Sequence, residues 1–165
     1  MAQSIQSPPP RVRSVSVSTR AADAKNAGRP RPGPVEQSLA SRGVSFGTDG
    51  SSMALFANVR EHYPVIPVKV AARGDVVFFN MGEGCGGHVG LVETVEPSGR
   101  IGFRERRDGD TRHSYATPRT PFLRRDPQGR IMNTFLRAKH MDDRPDTAYF
   151  AGEMLCAIFR VEGPP

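Results

Sequence analysis

Cys85 and His88 stand three residues apart in Met81-Gly82-Glu83-Gly84-Cys85-Gly86-Gly87-His88. A thiol beside an imidazole is the minimal pair for nucleophilic catalysis, with the ring taking the proton from the sulfur. Gly86, Gly87 and Gly90 would let a substrate backbone approach the ring. A glycine-rich loop, however, orients a thiolate poorly and supplies no helix dipole to lower its pKa. The favoured reading is an ordinary, partly exposed loop cysteine, and a relocated nucleophile is the alternative. Cys-x-x-His is also half of a zinc ligand set, but Cys156, His62, His113 and His140 lack the paired spacing that a four-ligand site needs, so no metal is expected. The same glycines lead from strand to strand without the Lys-Ser/Thr or helix of a phosphate-binding loop, and no cofactor is expected. Asp108-Gly109-Asp110 reads as a hairpin turn and not as a calcium loop.

Cys156, within Met154-Leu155-Cys156-Ala157-Ile158-Phe159, reads as a small buried apolar residue. Two cysteines in such different surroundings are not expected to form a disulfide framework, and a reducing compartment is allowed.

The strongest strand signal is the apolar run 75–79 after Gly74. It is followed by strands over 88–95 and 99–103, the latter entered by the turn Glu96-Pro97-Ser98-Gly99, and the three are expected to form an antiparallel meander. A fourth strand over 111–115 follows the turn at 108–110. Upstream, Val35 and Leu39, extended by Val44 and Phe46, predict a short helix and then a turn at 47–50. Ser51 or Ser52 caps a second helix, with Met53, Phe56, Ala57 and Arg60 along one side and His62 near its C-terminal end. Pro64 and Pro67 end that helix, and Val65-Ile66 is an extended approach to the core. Residues 131–139 predict a helix with Ile131, Phe135 and Leu136 on one face. The spacing of Phe150, Met154, Leu155, Ile158 and Phe159 predicts another, a strand over 155–161 being the lesser option.

Of 165 residues, 23 are Lys or Arg and 17 Asp or Glu, a net +6. Residues 1–34 hold six basic residues and one acid, a net +5 that leaves +1 for the remaining 131. That Pro-, Ser- and Arg-rich stretch has too little apolar area to offset its ordering entropy, so 1–34 is expected to be a disordered tail and 35–165 the folded domain. Its composition resembles a transit peptide, although a plain linker is favoured. No secretory h-region follows Met1, so a cytoplasmic location is the default, with export by a dedicated secretion system or a different natural start as the alternatives. No run approaches the roughly 18 apolar residues of a membrane span. Arg104, Arg106, Arg107 and Arg112, with Arg119, Arg124, Arg125 and Arg130 beyond, form a basic stretch suited to phosphates or an acidic wall polymer. Balanced by Glu105, Asp108, Asp110 and Asp126, it reads first as a solvated face.

Gly74-Asp75-Val76-Val77-Phe78-Phe79 and His88-Val89-Gly90-Leu91-Val92-Glu93 together resemble the core of the NlpC-type and CHAP-type cell-wall cysteine peptidases. Gly129-Arg130-Ile131-Met132-Asn133-Thr134-Phe135-Leu136 and Tyr149-Phe150-Ala151-Gly152-Glu153-Met154-Leu155 look like the C-terminal elements of one bacterial subgroup. The resemblance spans about residues 50–160. It implies a papain-like α+β fold, an antiparallel sheet packed against a few helices, with His88 as the catalytic base and a polar group on the next strand orienting the ring. Glu105, beside Arg104, occupies that orienting position, and a carboxylate commonly bonds an imidazole.

The family carries its cysteine in Asp-Cys-Ser-Gly at the start of the first helix, and no cysteine precedes Cys85 here. One placement of that motif falls on Pro30-Arg31-Pro32-Gly33, with Arg31 in the nucleophile's place; the other falls on Asp49-Gly50-Ser51-Ser52, with Gly50 there. The leading expectation is a catalytically degenerate domain that binds a cell-wall peptide, a glycan or a protein partner. The alternatives are an active peptidase or amidase using Cys85 and His88, and an interaction protein whose basic tail binds nucleic acid or acidic lipid, nucleic acid being the less expected partner. The oligomeric state is left open.

Overall fold

A computed structural model describes residues 33–46 and 50–162. The expected tail, apart from Gly33 and Pro34, lies outside these residues, as do Arg31 and the turn at 47–50 apart from Gly50. Gly33 and Pro34, assigned to the tail from composition, are buried parts of the fold. Helix α1 (Pro34–Ala40) opens on Pro34, whose fixed φ suits a first helical turn, and buries Val35 and Leu39 as their spacing predicts.

Helix α2 (Ser52–His62) is capped by Ser51, whose side chain accepts a hydrogen bond from the Ala54 N–H at 3.1 Å. Its buried residues are Leu55 and Val59, a face rotated from the expected one; Met53 and Ala57 are exposed. His62 ends the helix, its Nδ1 2.9 Å from the Asn58 carbonyl.

Five antiparallel strands form one sheet: β1 (Val76–Asn80), β2 (Cys85–Val95), β3 (Ile101–Arg107), β4 (Asp110–Ala116) and β5 (Leu155–Phe159). Their spatial order is β4-β3-β2-β1-β5. The meander β1 to β4 agrees with the sequence reading, and β1 is apolar throughout Val76, Val77, Phe78 and Phe79 because both its faces are covered. Between β3 and β4 the turn residues Asp108 (φ 55) and Gly109 (φ 88) both take the left-handed conformation that a two-residue hairpin requires. At the entrance to β1, Asp75 accepts a bond from the Ala72 N–H at 2.7 Å and pairs with Arg160 at 3.1 Å, so the Gly-Asp turn is a structural tie.

Alternation along the strands splits the core in two. On one face Val76, Phe78, Leu91 and Phe159 meet Val35 and Leu39 of α1 and Leu55 and Val59 of α2. Phe56, Phe78 and Phe159 meet edge to face there, with centroids 5.1 to 6.0 Å apart. On the other face Val77, Phe79, Val92, Ile101, Phe103 and Ile158 are covered by Leu136 and by helix α3 (Ala151–Met154).

Two expectations fail after β4. Residues 131–139 are not a helix, because their backbone donors bond across the fold. Met132 N–H goes to Arg124, Thr134 N–H to Tyr115 and Leu136 N–H to Tyr149. Buried Asn133 serves as the clamp: its Oδ1 accepts from Thr117 N–H at 2.7 Å, and its Nδ2 donates to Thr120 and Leu123 carbonyls at 2.8 Å. Gly152 permits this, since a Cβ there would lie 2.3 Å from Asn133 Oδ1. The expected last helix stops after four residues and the chain becomes β5, the lesser option from sequence, because β1 offers a second ladder edge that Leu155, Ala157, Ile158 and Phe159 fill.

Candidate functional site

His88 lies on β2 opposite Phe79 of β1, and its ring turns to the face that carries Phe79 and Phe103. Glu105, one strand over on β3 and opposite Gly90, is fully buried on that same face. Gly90 leaves the room: a Cβ there would stand 2.5 Å from the Phe103 ring. Across this gap His88 Nε2 and Glu105 Oε2 form a close hydrogen-bonded pair.

The second carboxylate oxygen is held as well. Ser114 on β4 donates its hydroxyl to Glu105 Oε1, and Arg107 Nη2 reaches the same atom at 2.7 Å. Arg107 Nη1 in turn donates to the Phe135 carbonyl at 2.5 Å, tying the pair to the segment after β4. Burial, the largest influence, pushes the Glu105 carboxyl up. The bonds from His88 and Ser114 and the charges of His88 and Arg107 outweigh it and hold the group below the usual carboxylate range. Glu105 therefore stays a carboxylate at neutral pH and engages His88 through Nε2, which leaves Nδ1 as the ring nitrogen that this carboxylate does not hold. With 19% of its side chain exposed, His88 is within reach of a hydrogen bond from a bound molecule.

Cys85 corrects the sequence reading. Its sulfur is bonded to that of Cys156, with Cα atoms 5.8 Å apart, and the chain has no other cysteine. It begins strand β2 instead of sitting in a loop, and a two-residue bulge separates it from His88, since Asn80 pairs with Cys85 while Phe79 pairs with His88. Asn80 and Phe79 alternate, so Cys85 and His88 occupy opposite faces; Cys85 packs with the helix-side core. Cys156 is exposed and bonded, not a buried apolar residue. In this oxidised form no thiol is present to ionise or to attack.

Helix α2, whose N-terminus follows Gly50, packs by Leu55 and Val59 on the face opposite His88. Gly86 accommodates that helix: its φ is +106°, and a Cβ would come 2.7 Å from Phe56 Cβ. The sequence reading paired the right histidine with Glu105. It missed Ser114 and Arg107, whose signal was the two-residue hairpin that sets β4 against β3 with Phe103 opposite Ser114.

Beyond Arg107 a cleft of about 640 Å³ opens between β4 and residues 131–138. Among the described residues four arginines line it, Arg107, Arg112, Arg124 and Arg137, with Asp108 as the single acid. The basic stretch expected to be a solvated face thus contributes Arg107, Arg112 and Arg124 to a concave wall, while Arg130 pairs with Asp126 and Glu96 outside it. Among the described residues no group of three or more His, Cys, Asp or Glu side chains is placed to hold a metal ion, and no helix is long and apolar enough to cross a membrane. Comparison with protein-family models, with curated proteins and with solved structures returns no match.

Proposed function

We propose that this chain is a non-hydrolytic NlpC/CHAP-like domain that binds a peptide, glycan or protein partner through the face carrying His88 and Glu105. The observation that carries the reading is that both cysteines of the chain are joined to each other while the imidazole–carboxylate pair stands intact. A base without a nucleophile can still donate, accept and orient, which is what binding requires. The His88 ring is a fixed polar group backed by Glu105, Ser114 and Arg107, and the last two of these also line the cleft, so the pair is tied to a concave surface of the kind that recognises ligands. The papain-like class is part of this proposal and rests on the two core motifs and on the antiparallel sheet flanked by helices. A persisting disulfide also favours an oxidising compartment over the cytoplasm.

Cell-wall fragments incubated with the protein, oxidised and reduced, test the reading. The expected result is retention of fragments without cleavage in either state. Cleavage that iodoacetamide or Cys85→Ala abolishes would overturn it and restore the peptidase.

A further inference from the structure

We propose that the cleft between β4 and residues 131–138 is a docking groove for an acidic peptide in extended conformation, which adds a strand to the free edge of β4. The proposal deepens the binding reading above and rests on it. Two independent features meet in the groove, an open backbone edge and a cluster of guanidinium groups.

Strand β4 is the last in the sheet order, so one of its edges has no ladder partner among the described residues. At the end of that edge Tyr115 turns its N–H to Thr134 Oγ1 and its carbonyl to the Thr134 N–H, both at 2.9 Å, away from β3. In an antiparallel ladder this orientation alternates with a period of two, so Thr111 and His113 present their N–H and C=O groups outward in the same way. After Thr134 the covering segment leaves the edge, with Leu136 N–H bonding to Tyr149 instead. An incoming peptide would therefore continue along β4 the pairing that Thr134 begins, and main-chain bonds to Thr111 and His113 would supply its register.

The charge of the walls selects the occupant. Arg107 is neutralised by Glu105 and Arg137 by Asp143 at 3.0 Å. Arg112 meets Asp108 at 3.4 Å in an exposed pair, which contributes little. Arg124 lies 5.2 Å from the centre of the Phe135 ring, and no carboxylate pairs with it among the described residues. Alternate side chains of an added strand point to one face of the sheet, so Glu or Asp at every second position would reach Arg112 and Arg124. A lysine-bearing strand would meet uncompensated like charge.

The test is fluorescence anisotropy of a labelled octapeptide of alternating Glu and Val against the oxidised full chain. Saturable binding is expected. Arg124→Glu and Arg112→Glu, both at exposed positions and checked for an unchanged melting temperature, should each weaken it roughly tenfold. N-methylation of every second peptide residue should weaken it by a similar factor, whichever set carries the methyl groups that face β4. Equal binding of a Lys–Val octapeptide, or unchanged binding of both N-methylated peptides, overturns the proposal. So does complete displacement by inorganic phosphate at the peptide's own concentration, which would make the cleft a simple anion site. Cleavage of the bound octapeptide would sink the non-hydrolytic reading and leave the groove standing. Failure to bind, with wall fragments still retained uncut, would sink the groove alone.

Discussion

Opening the Cys85–Cys156 bridge is the most informative perturbation of this domain. The bond closes a loop of 71 residues that contains most of β2, all of β3 and β4, and the irregular segment clamped by Asn133. In the chain-entropy description, closing 71 residues removes about 15 cal/mol/K from the unfolded ensemble, or roughly 4.4 kcal/mol at 25 °C. For about 130 folded residues, with an unfolding entropy near 2.1 cal/mol/K each, that corresponds to a fall in melting temperature of roughly 16 °C. Cys85→Ala with Cys156→Ser is the suitable variant, since the exposed position accepts a hydroxyl and the half-buried one a methyl. Urea unfolding of the variant and the oxidised parent should show a lower midpoint together with a larger m-value, because an uncrosslinked chain exposes more surface when it unfolds. Coincident midpoints, or two titratable thiols in native protein prepared without reductant, would refute the reasoning.

Three further outcomes follow from the packing around the site. Glu105 is held below its unfolded pKa of about 4.3, so its contribution to stability is present above that pH and is lost as the pH falls through the folded value. Glu105→Gln should therefore flatten the acid limb of a stability–pH profile. At pH 7 it should cost roughly 3 to 5 kcal/mol, by leaving Arg107 without its carboxylate. Gly86→Ala should destabilise more than Gly84→Ala, although both have strongly positive φ, because a Cβ at 86 meets Phe56 while none of the described groups lies within 4 Å at 84. Overpacking adds roughly 1 to 3 kcal/mol to the backbone strain of about 1 to 2 that both share, and paired urea melts measure the difference. Asn133→Ala should cost about 3 kcal/mol or more in the same assay, since Thr117, Thr120 and Leu123 each lose a partner.

What the sequence made legible was local. Val76 to Phe79 announced a strand buried on both faces, Asp108-Gly109 a tight hairpin, and Ser51 a helix cap, because each is decided by neighbours in the chain. The Glu105 partnership with His88 was also within reach, since consecutive strands of a meander place alternate residues on one face. The helix expected over 131–139 fails for a non-local reason: its donors are claimed by Arg124, Tyr115 and Tyr149, none of which periodicity can register. The disulfide escaped for a similar reason. Cys85 and Cys156 belong to strands flanking β1 on opposite sides, and the bulges in both pairings of β1 near Phe79 bring their Cα atoms to 5.8 Å.

Those bulges also decide the chemistry. Without the two additional residues of β2, the ladder from Phe79 to His88 would run on to put Gly87 opposite Asn80, with Cys85 still two residues farther along that same face and beyond reach of Cys156 across β1. With them, the cysteine is drawn over β1 toward β5 on the helix side, while His88 stays on the other side with Glu105. Reduction alone therefore does not assemble a thiol–imidazole pair, because breaking the S–S bond leaves Cys85 on the far face of a strand whose register is fixed by Val76, Val77, Phe78 and Phe79. Adding a dithiol reductant should leave the reactivity of Cys85 toward iodoacetamide independent of His88, and the rate should be the same in His88→Ala. A clear drop in that rate in His88→Ala would mean that the sulfur reaches the ring once released, and the two-face description would have to be given up.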